Sequence, residues 1–377
     1  MKVMVLGVRG MLNLQGGIET HAEQLYEHMV RLGWEVEVLA RSPYLPRHRR
    51  AHGLIRLHRI WSPLTTGLEP VVHSLLGVLY AGIVRPDLLH IHAIGPALVT
   101  PIARLLGLRV IVTHHGPDYQ RDKWGPFARW LLRRGENLGM RYAHARIVIS
   151  RGILEHVRAR YGRDCDLIPN GVAAGDVQQE TTELERHGLV ARRYFLQVSR
   201  IVPEKRQLDL IQAFAAAAPR GWKLVLVGDA RSGSEYARRV SAAAAVAGNV
   251  VLAGFKKGTA LKQLYSHAGA FVLPSSHEGL PIAILEALSF GVPVLASDIA
   301  PNRELNLPES CYFPTGDRRA LTAKLAALSH TADDPLAREE RKRWVTSRYD
   351  WRRVAEQTHA VYRRIVGPKV SLVERPL

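Results

Sequence analysis

Residues 270–297 read AFVLPSSHEGLPIAILEALSFGVPVLAS, and this stretch decides the fold of the chain. Positions 270–274 form the short, continuous apolar run of a buried parallel strand, and positions 293–297 repeat it. Between them, positions 282–289 have the apolar spacing of a helix. A strand, a helix and a second strand in this order predict a βαβ unit, with Glu278 in the loop after the first strand.

The same alternation of apolar runs and helical patterns extends over the chain on both sides of this unit. In the first half, strands are predicted at 3–7, 34–40, 88–92, 110–113 and 146–150, and a helix at 18–32. In the second half, strands are predicted at 194–199, 224–228 and 250–253, and helices at 208–217, 238–247, 261–267, within 318–348 and at 351–365. The turn-rich segment 172–190 separates the halves. We therefore expect two Rossmann-like α/β domains that face a cleft.

Composition restricts the class of protein. The 377 residues, 47% hydrophobic and 23% charged, suit two globular domains. Cys165 and Cys311 are far apart and lack metal-ligand spacing, which favours thiols in a reducing compartment. The N-terminal residues do not have the pattern of a signal peptide. The longest apolar stretch, 75–84, is about half of the ~20 residues that a spanning helix needs, so we expect a cytoplasmic protein.

The net charge of +18 favours an anionic partner: a phosphate-bearing substrate, an anionic membrane surface or nucleic acid. Positive charge is concentrated at 47–59 and 121–146. In the second segment, Trp124, Phe127 and Trp130 interleave with arginines, as in a helix that lies on an anionic membrane. The alternative is an ordinary helix with a solvated basic face. No RNA- or DNA-binding motif is present, so nucleic acid is not an expected partner.

Candidate site residues lie where predicted strands end, because ligands of open α/β sheets bind at the carboxyl edge of the sheet. Gly16 and Gly17 precede the first helix, where backbone amides can approach a phosphate. Arg200 and Lys205 follow a strand of the second half and could bind a diphosphate. The alternatives are a plain turn for the glycines and ordinary surface charge for the two cations.

His115, Glu278 and Glu286 are candidates for contacts with a ligand in the cleft. His115 follows a strand, and histidine can donate a hydrogen bond or exchange a proton near neutral pH. Gly279 leaves the backbone beside Glu278 open to a ligand, and Glu286 could accept hydrogen bonds from a ribose. We expect the apolar run between the two acids to be buried and the acids to be its exposed ends. The alternative is one capping acid and one unrelated surface acid.

Taken in order, these motifs resemble those of the family 4 glycosyltransferases, which have the GT-B fold. The matching motifs are GG at 16–17, THHG at 113–116, IPNGV at 168–172, SR and EK within 199–205, LVLVGD at 224–229 and HEGLPIAILEALSFGVPVLASD at 277–298. The resemblance extends over nearly the whole chain. It implies an acceptor-side domain at 1–172, a nucleotide-sugar domain at 173–350 and a terminal segment, 351–377, whose helix crosses back to the first domain.

The resemblance implies a set of donor-binding residues: Gly16, Gly17, Arg200, Lys205, Gly228, Phe255, Glu278, Gly279, Leu280 and Glu286. Within this set, Arg200 and Lys205 would bind the diphosphate, Glu278 the sugar hydroxyls and Glu286 the ribose. His115 would lie near the transferred sugar. The implied catalytic set is His115, Glu278, Arg200 and Lys205.

The resemblance further implies transfer with retention of anomeric configuration and without a metal or other cofactor, with a saccharide or lipid-linked saccharide as acceptor. Cations would neutralise the charge that develops on the leaving diphosphate. Residues 114–136 are also similar to a bacterial subset of rhamnosyl- and related transferases of surface-polysaccharide assembly. That narrower similarity implies that Asp118, Arg121, Lys123 and Trp124 line the acceptor side.

Three other functions are weighed against this one. A nucleotide-sugar 2-epimerase shares the two-domain fold and would isomerise the donor without an acceptor. A basic nucleic-acid-binding protein would bind strands in a salt-sensitive way. An NAD-dependent oxidoreductase is disfavoured because the GxGxxG fingerprint and the ribose-binding acid after the first strand are absent from the sequence.

Overall fold

The computed structural model describes residues 1–11, 14–64, 67–121, 124–230, 233–331 and 334–367. Its main strands form two sheets, one of eight strands from the first half of the chain and one of six from the second. Helices cover both sheets, which explains why the central strands have continuous apolar sequences rather than alternating ones. The prediction of two Rossmann-like α/β domains is confirmed.

The first domain contains β1 (Lys2–Leu6), β2 (Glu35–Arg41), β3 (Ala51–His52), β4 (Ile55–Ile60), β5 (Leu88–His92), β6 (Val110–His114), β7 (Ala145–Val148) and β8 (Asp166–Leu167). Its helices are α1 (Gly17–Arg31), α2 (Leu68–Val84), α3 (Thr100–Leu105), α4 (Pro126–Tyr142) and α5 (Arg151–Tyr161). The strand order is β3-β4-β2-β1-β5-β6-β7-β8, and β3 runs antiparallel to β4. The order reverses between β1 and β5, so a crevice opens at their carboxyl ends.

The second domain contains β9 (Tyr194–Val198), β10 (Lys223–Val227), β11 (Val250–Gly254), β12 (Ala270–Leu273), β13 (Val294–Ser297) and β14 (Tyr312–Phe313). Its helices are α6 (Thr182–Arg186), α7 (Gln207–Ala217), α8 (Glu235–Ala247), α9 (Gly258–Ser266), α10 (Ile282–Ser289), α11 (Ala300–Arg303), α12 (Arg318–His330) and α13 (Pro335–Tyr349). The parallel order is β11-β10-β9-β12-β13-β14. Here the order reverses between β9 and β12, which places the loops after these strands at the second crevice.

The last helix, α14 (Trp351–Val366), returns to the first domain and packs on α1. Trp351, Val354 and Tyr362 are buried in the same apolar cluster as Val3 and Val5 of β1. Gly171 makes this return possible, because a Cβ there would lie 2.5 Å from Cδ2 of the Trp351 ring. The glycine of the IPNGV motif is therefore required by the packing of this indole.

Several elements were not predicted from the sequence. Segment 47–59 was interpreted only as basic, yet it contains β3 and most of β4. The apolar stretch 75–84, which is too short to cross a membrane, is the second part of helix α2. The sequence pattern did not predict that helix. Within the described ranges, no helix combines the length and apolar composition of a membrane-spanning segment.

Candidate active site

The two crevices face each other, and the domains touch across them at several points. The Gln15 side chain, from the loop after β1, accepts a hydrogen bond from the Asp229 backbone amide after β10, at 3.0 Å. Lys257 forms an ion pair of 2.6 Å with Glu23 of α1. A Cβ on Gly279 would lie 2.1 Å from the His115 carbonyl oxygen, so glycine is required for the domains to meet here.

Positive charge converges at the carboxyl ends of β1 and β9. Burial lowers the pKa of Arg200, and repulsion from Arg121 and then Arg9 lowers it further. Arg9 is held in place by Glu19, with Nε 2.8 Å from Oε1, and its Nη2 donates to the Gln15 carbonyl. Among the described residues, Arg200 forms no ion pair with an acidic side chain. Cations that repel one another in a cleft form a ready site for a polyanion such as a diphosphate.

Lys205 and Glu278 complete the charged group from the other side of the second crevice. The Lys205 ammonium donates to Glu278 Oε1, and the two side chains are only 16% and 11% exposed. Burial alone would raise the pKa of Glu278, but the charge and hydrogen bond of Lys205, with Arg121 nearby, hold that pKa below its usual range. Glu278 is therefore ionised and paired. The expectation that it would be an exposed end of the segment is wrong, because Lys205 compensates for its burial.

Glu286 lies within α10 and is also less exposed than expected. Its Oε2 accepts a hydrogen bond of 3.0 Å from the Tyr265 hydroxyl. Burial raises the pKa of Glu286 to about 7, although Tyr265 and Lys257 act in the opposite direction. The protonated form of the carboxyl group therefore persists toward neutral pH, and in that form the group can donate as well as accept a hydrogen bond.

His115 stands in front of a cluster of buried histidines that the sequence motifs did not reveal. His92 Nδ1 lies 2.9 Å from His115 Nε2, and the ring of His21 packs edge-on against that of His115. Burial lowers the pKa of His21 to about 4, and those of His92 and His115 well below the ordinary value. All three rings are therefore neutral at pH 7. His21 lies within α1, where a search of strand ends could not find it, whereas His92 is the last residue of β5 and lies at the carboxyl edge that the strand-end rule indicates.

Asn170 connects this cluster to the second domain. Its Oδ1 lies 2.9 Å from His21 Nδ1, and its Nδ2 donates to the Leu280 carbonyl at 2.9 Å. The predicted site residue Leu280 is buried next to Gly279, and its backbone carbonyl is held in place by the hydrogen bond from Asn170. The asparagine of the IPNGV motif therefore fixes the loop that carries Glu278.

The residues predicted for the acceptor side divide into two groups. Asp118 and Arg121 pair with each other at 3.1 Å, and Arg121 also acts on the pKa values of Arg200 and Glu278. Arg121 thus lies beside the cationic group. Trp124 is partly buried just before α4, and Lys123 lies outside the described residues.

The remaining predicted residues lie around the rim of the same cleft. Gly16 caps the N-terminus of α1 beside the pair formed by Arg9 and Glu19, and Gly17 is the first residue of that helix. Gly228 directly follows β10, next to the side chain of Gln15. Phe255 is partly buried after β11. Arg9, which the sequence analysis missed, occupies the loop after β1 and could have been found by the same strand-end rule.

Comparisons with known proteins agree with this architecture. Residues 16–171 match the model of the glycosyl transferase 4-like domain, and residues 180–351 match that of the glycosyl transferases group 1. A GDP-mannose-dependent alpha-mannosyltransferase of Mycobacterium tuberculosis is 27% identical over 87% of this chain and 86% of its own. The GDP-mannose:cellobiosyl-diphosphopolyprenol alpha-mannosyltransferase of Komagataeibacter xylinus is 28% identical over 89% and 86%.

A sucrose-phosphate synthase from Thermosynechococcus elongatus has the same fold, with a TM-score of 0.81, 20% identity and coverage of 96% of this chain and 98% of its own. The two family models meet at the junction between the sheets, so each describes one of the facing domains. The chain belongs to the GT-B glycosyltransferases, with a 4-like first domain and a group 1 second domain.

Proposed function

We propose that the chain is a retaining hexosyltransferase that moves a sugar from a nucleoside-diphosphate sugar to a lipid-linked saccharide, in the assembly of a polysaccharide or glycoconjugate. The donor half of the proposal is carried by the convergence of Arg9, Arg121, Arg200 and Lys205 on one cleft. The acceptor half is supported by the relative named for a diphosphopolyprenol-linked cellobiosyl group. The narrower similarity to rhamnosyl-type enzymes stays a prediction.

The chemistry follows from where charge develops. The bond between the anomeric carbon and the diphosphate oxygen breaks, and the acceptor hydroxyl oxygen bonds to the same face of that carbon. The hydroxyl proton passes to the departing phosphate oxygen. Arg200 and Lys205 would neutralise the charge that builds on the diphosphate, a role that a metal ion has in other transferases. Glu278, paired with Lys205, would bind sugar hydroxyls, and it is not assigned as a nucleophile.

A thermal-shift panel of nucleotides and nucleotide sugars tests the donor half. We expect one nucleoside diphosphate to raise the melting temperature more than the others, because a ligand that binds the native state stabilises it. Arg200→Ala should lose most of this shift. Arg319→Ala, which removes an exposed arginine of α12, is the matched control and should keep it. Equal shifts in the two variants would contradict the assigned diphosphate site.

An assay with the donor named by that panel then separates transfer from isomerisation. With a polyprenyl-diphosphate saccharide present, we expect a new glycosidic bond with the anomeric configuration of the donor, in buffer with or without EDTA. Donor that is isomerised in the absence of any acceptor would instead support a nucleotide-sugar epimerase. Transfer that stops in EDTA and returns with added metal would overturn the metal-independent chemistry.

An exposed apolar surface on the first domain favours contact with the membrane that would carry such an acceptor. Helices α2 and α4 both pack on the 3-10 turn Pro96–Val99, so they share one side of the sheet. On α2, Ile83 is 81% exposed, and on α4, Phe127 is 73% exposed. The ring of Phe127 stacks on that of Trp130, and the Arg134 guanidinium lies 5.4 Å from the Trp130 ring centre. Exposed aromatic and apolar side chains among arginines suit an anionic lipid surface.

Vesicle flotation tests this surface. We expect the protein to float with vesicles containing phosphatidylglycerol and not with pure phosphatidylcholine vesicles. The double variant Phe127→Ser/Trp130→Ser should stay unbound. The control Val246→Ser changes a side chain that is 91% exposed on the second domain, and it should float like the unaltered protein. Absence of flotation with the anionic vesicles would contradict the membrane contact.

A further inference from the structure

A continuous row of polar side chains lies behind His115 in the first domain, and the proposed chemistry does not explain it. The row begins at Tyr362 of α14 and passes through His90, Tyr26 and His92. All four of these side chains are fully buried. The contacts are Tyr362 Oη to His90 Nδ1 at 2.5 Å, Tyr26 Oη to His90 Nδ1 at 2.8 Å, Tyr26 Oη to His92 Nε2 at 2.6 Å and His92 Nδ1 to His115 Nε2 at 2.9 Å.

The distances indicate how the protons are arranged at the start of the row. A neutral imidazole has one nitrogen that donates and one that accepts. Two phenol groups reach Nδ1 of His90. The Tyr362 hydroxyl lies 2.5 Å from this nitrogen and 3.5 Å from the Tyr26 oxygen, so we assign its proton to the shorter contact and the lone pair of Nδ1 to Tyr362. The proton of His90 then lies on Nε2, where Thr113 Oγ1 accepts it at 2.7 Å. Tyr26 is left to donate along its own shorter contact, to His92 Nε2.

The remaining two protons follow from this direction. Since Nε2 of His92 accepts, its proton lies on Nδ1 and is donated to His115 Nε2. We infer that the row holds His115 as the tautomer protonated on Nδ1, so that this nitrogen presents a hydrogen to a substrate oxygen in the cleft. Tyr362, Tyr26 and His92 are positioning residues, because they act through His115 and touch no substrate.

The inference extends the proposed function, since the oxygen would be a hydroxyl of the donor sugar. The tautomer itself does not depend on that function. Hydrogen bonds that fix the tautomer of a functional histidine can matter greatly for turnover, as the buried aspartate of the serine-protease triad does for its histidine. The terminal helix would thereby contribute to the donor site from the far side of the first sheet.

The same histidines could instead bind a metal ion. One ring nitrogen from each of His21, His92 and His115 lies within 4.8 Å of the other two. An ion bound to all three through the nitrogens that meet between His92 and His115 would need both to be unprotonated. The hydrogen bond between them needs one proton there. The two arrangements exclude each other, so one experiment can distinguish them.

Nitrogen-15 NMR of histidine-labelled protein without a tag tests the inference, with the signals of His115 assigned by their loss in His115→Gln. We expect a single His115 tautomer, protonated on Nδ1. In Tyr362→Phe, the His90 lone pair becomes free for Tyr26. His92 Nε2–H can then donate to the Tyr26 oxygen, and His115 Nε2–H to His92, so every buried group is satisfied in the reversed direction. The proton of His115 should therefore move to Nε2.

A second variant of the row and a matched control complete this test. Tyr26→Phe removes the donor to His92, and we expect His115 to become a mixture of both tautomers. Tyr80→Phe removes a different phenol that contacts a histidine, His58, in the same domain, and it should leave His115 unchanged. An unchanged His115 tautomer in both Tyr362→Phe and Tyr26→Phe would overturn the inference. So would about one equivalent of tightly bound metal that is lost in His21→Ala.

Kinetics provide a second readout once a donor is known. Tyr362→Phe should lower kcat about tenfold or more while the KM for the donor stays within about twofold, because the ring of His115 remains in place and only its proton moves. An unchanged kcat beside a reversed tautomer would refute the catalytic consequence and leave the tautomer assignment standing. No transfer activity in any variant would count against the proposed function, and the NMR result would be unaffected.

Discussion

Single side chains in this cleft owe their properties to partners from other parts of the chain. The sequence motifs indicated Glu278, Lys205 and Arg200 because each follows a predicted strand, and the structure brings all three to one crevice. The motifs could not indicate that Glu278 would be buried, since that depends on compensation by Lys205, 73 positions earlier. His21 stayed hidden for a similar reason, because its place within a helix does not distinguish it from a buried histidine that has no role in a site. His92 was overlooked although it ends the predicted strand 88–92.

Glu286 should make stability depend on pH. The folded-state pKa of Glu286, about 7, lies above that of an unfolded carboxyl group. Its contribution to the free energy of unfolding is therefore fully present below about pH 4.3 and is lost as the pH rises through 7. Glu286→Gln cannot ionise. We expect the free energy of unfolding of this variant, relative to that of the unaltered protein, to increase by about 1–3 kcal/mol when the pH is raised from 5 to 8. Urea unfolding at both pH values measures the gain, and parallel pH dependences would contradict the raised pKa.

The pair formed by Lys205 and Glu278 should be coupled in stability as well as in function. Lys205→Ala leaves the largely buried carboxylate of Glu278 without its partner. Breaking a buried pair in this way should lower the free energy of unfolding by about 3 kcal/mol. Adding Glu278→Gln removes the unpaired charge and should restore part of that loss. A double-mutant cycle by urea unfolding measures the coupling, and strictly additive effects would count against the pair. Transfer should be nearly abolished in Lys205→Ala.

At the level of helices and strands, periodicity predicted the elements that have one buried face or a continuous apolar run. Helix α10 was predicted with its observed bounds, Ile282–Ser289. Helix α2 was missed because apolar residues surround it: Val78 and Ala81 are buried, while Leu68 and Ile83 are exposed. A helix with apolar residues on both its buried and its exposed sides has no amphipathic pattern to recognise.

The return of α14 to the first domain should be a strong source of stability. Trp351 is buried against Gly171 and lies edge-on to the ring of His21. Trp351→Ala should destabilise the protein by about 3–5 kcal/mol through lost apolar contact and a cavity. Trp61, with 62% of its surface exposed, is the matched control, and Trp61→Ala should change stability by less than about 0.5 kcal/mol. Similar losses in the two variants would contradict the packing described for α14.

For the whole molecule, the two switch points explain why residues far apart in the chain share a cleft. The sequence predicted both sheets, and the rule that ligands bind at their carboxyl edges predicted where the site would lie. It could not predict how closely the domains approach, because that depends on contacts such as Gln15 with Asp229 and His115 with Gly279. Arg9 follows a predicted strand and was open to that rule, but its proximity to Arg200 exists only when the domains face each other.

The concentration of cations in the cleft should make diphosphate binding sensitive to salt. Raising the ionic strength from about 0.05 M to 0.5 M shortens the screening length severalfold, so the affinity for a nucleoside diphosphate should fall by about tenfold. The corresponding nucleoside, which carries no phosphate, should bind equally well at both salt concentrations. Titration calorimetry measures both ligands, and an affinity for the diphosphate that does not change with salt would contradict binding by the cationic group.

The most direct test compares the calorimetric affinities of the preferred nucleoside diphosphate and its nucleoside for the unaltered protein and for Arg200→Ala. We expect the diphosphate to bind about a hundredfold more tightly than the nucleoside, since two charged phosphates meet several cations in a partly buried site. Arg200→Ala should remove most of this difference and leave nucleoside binding unchanged. Equal affinities of the two ligands for the unaltered protein would contradict a donor site built on Arg9, Arg121, Arg200 and Lys205.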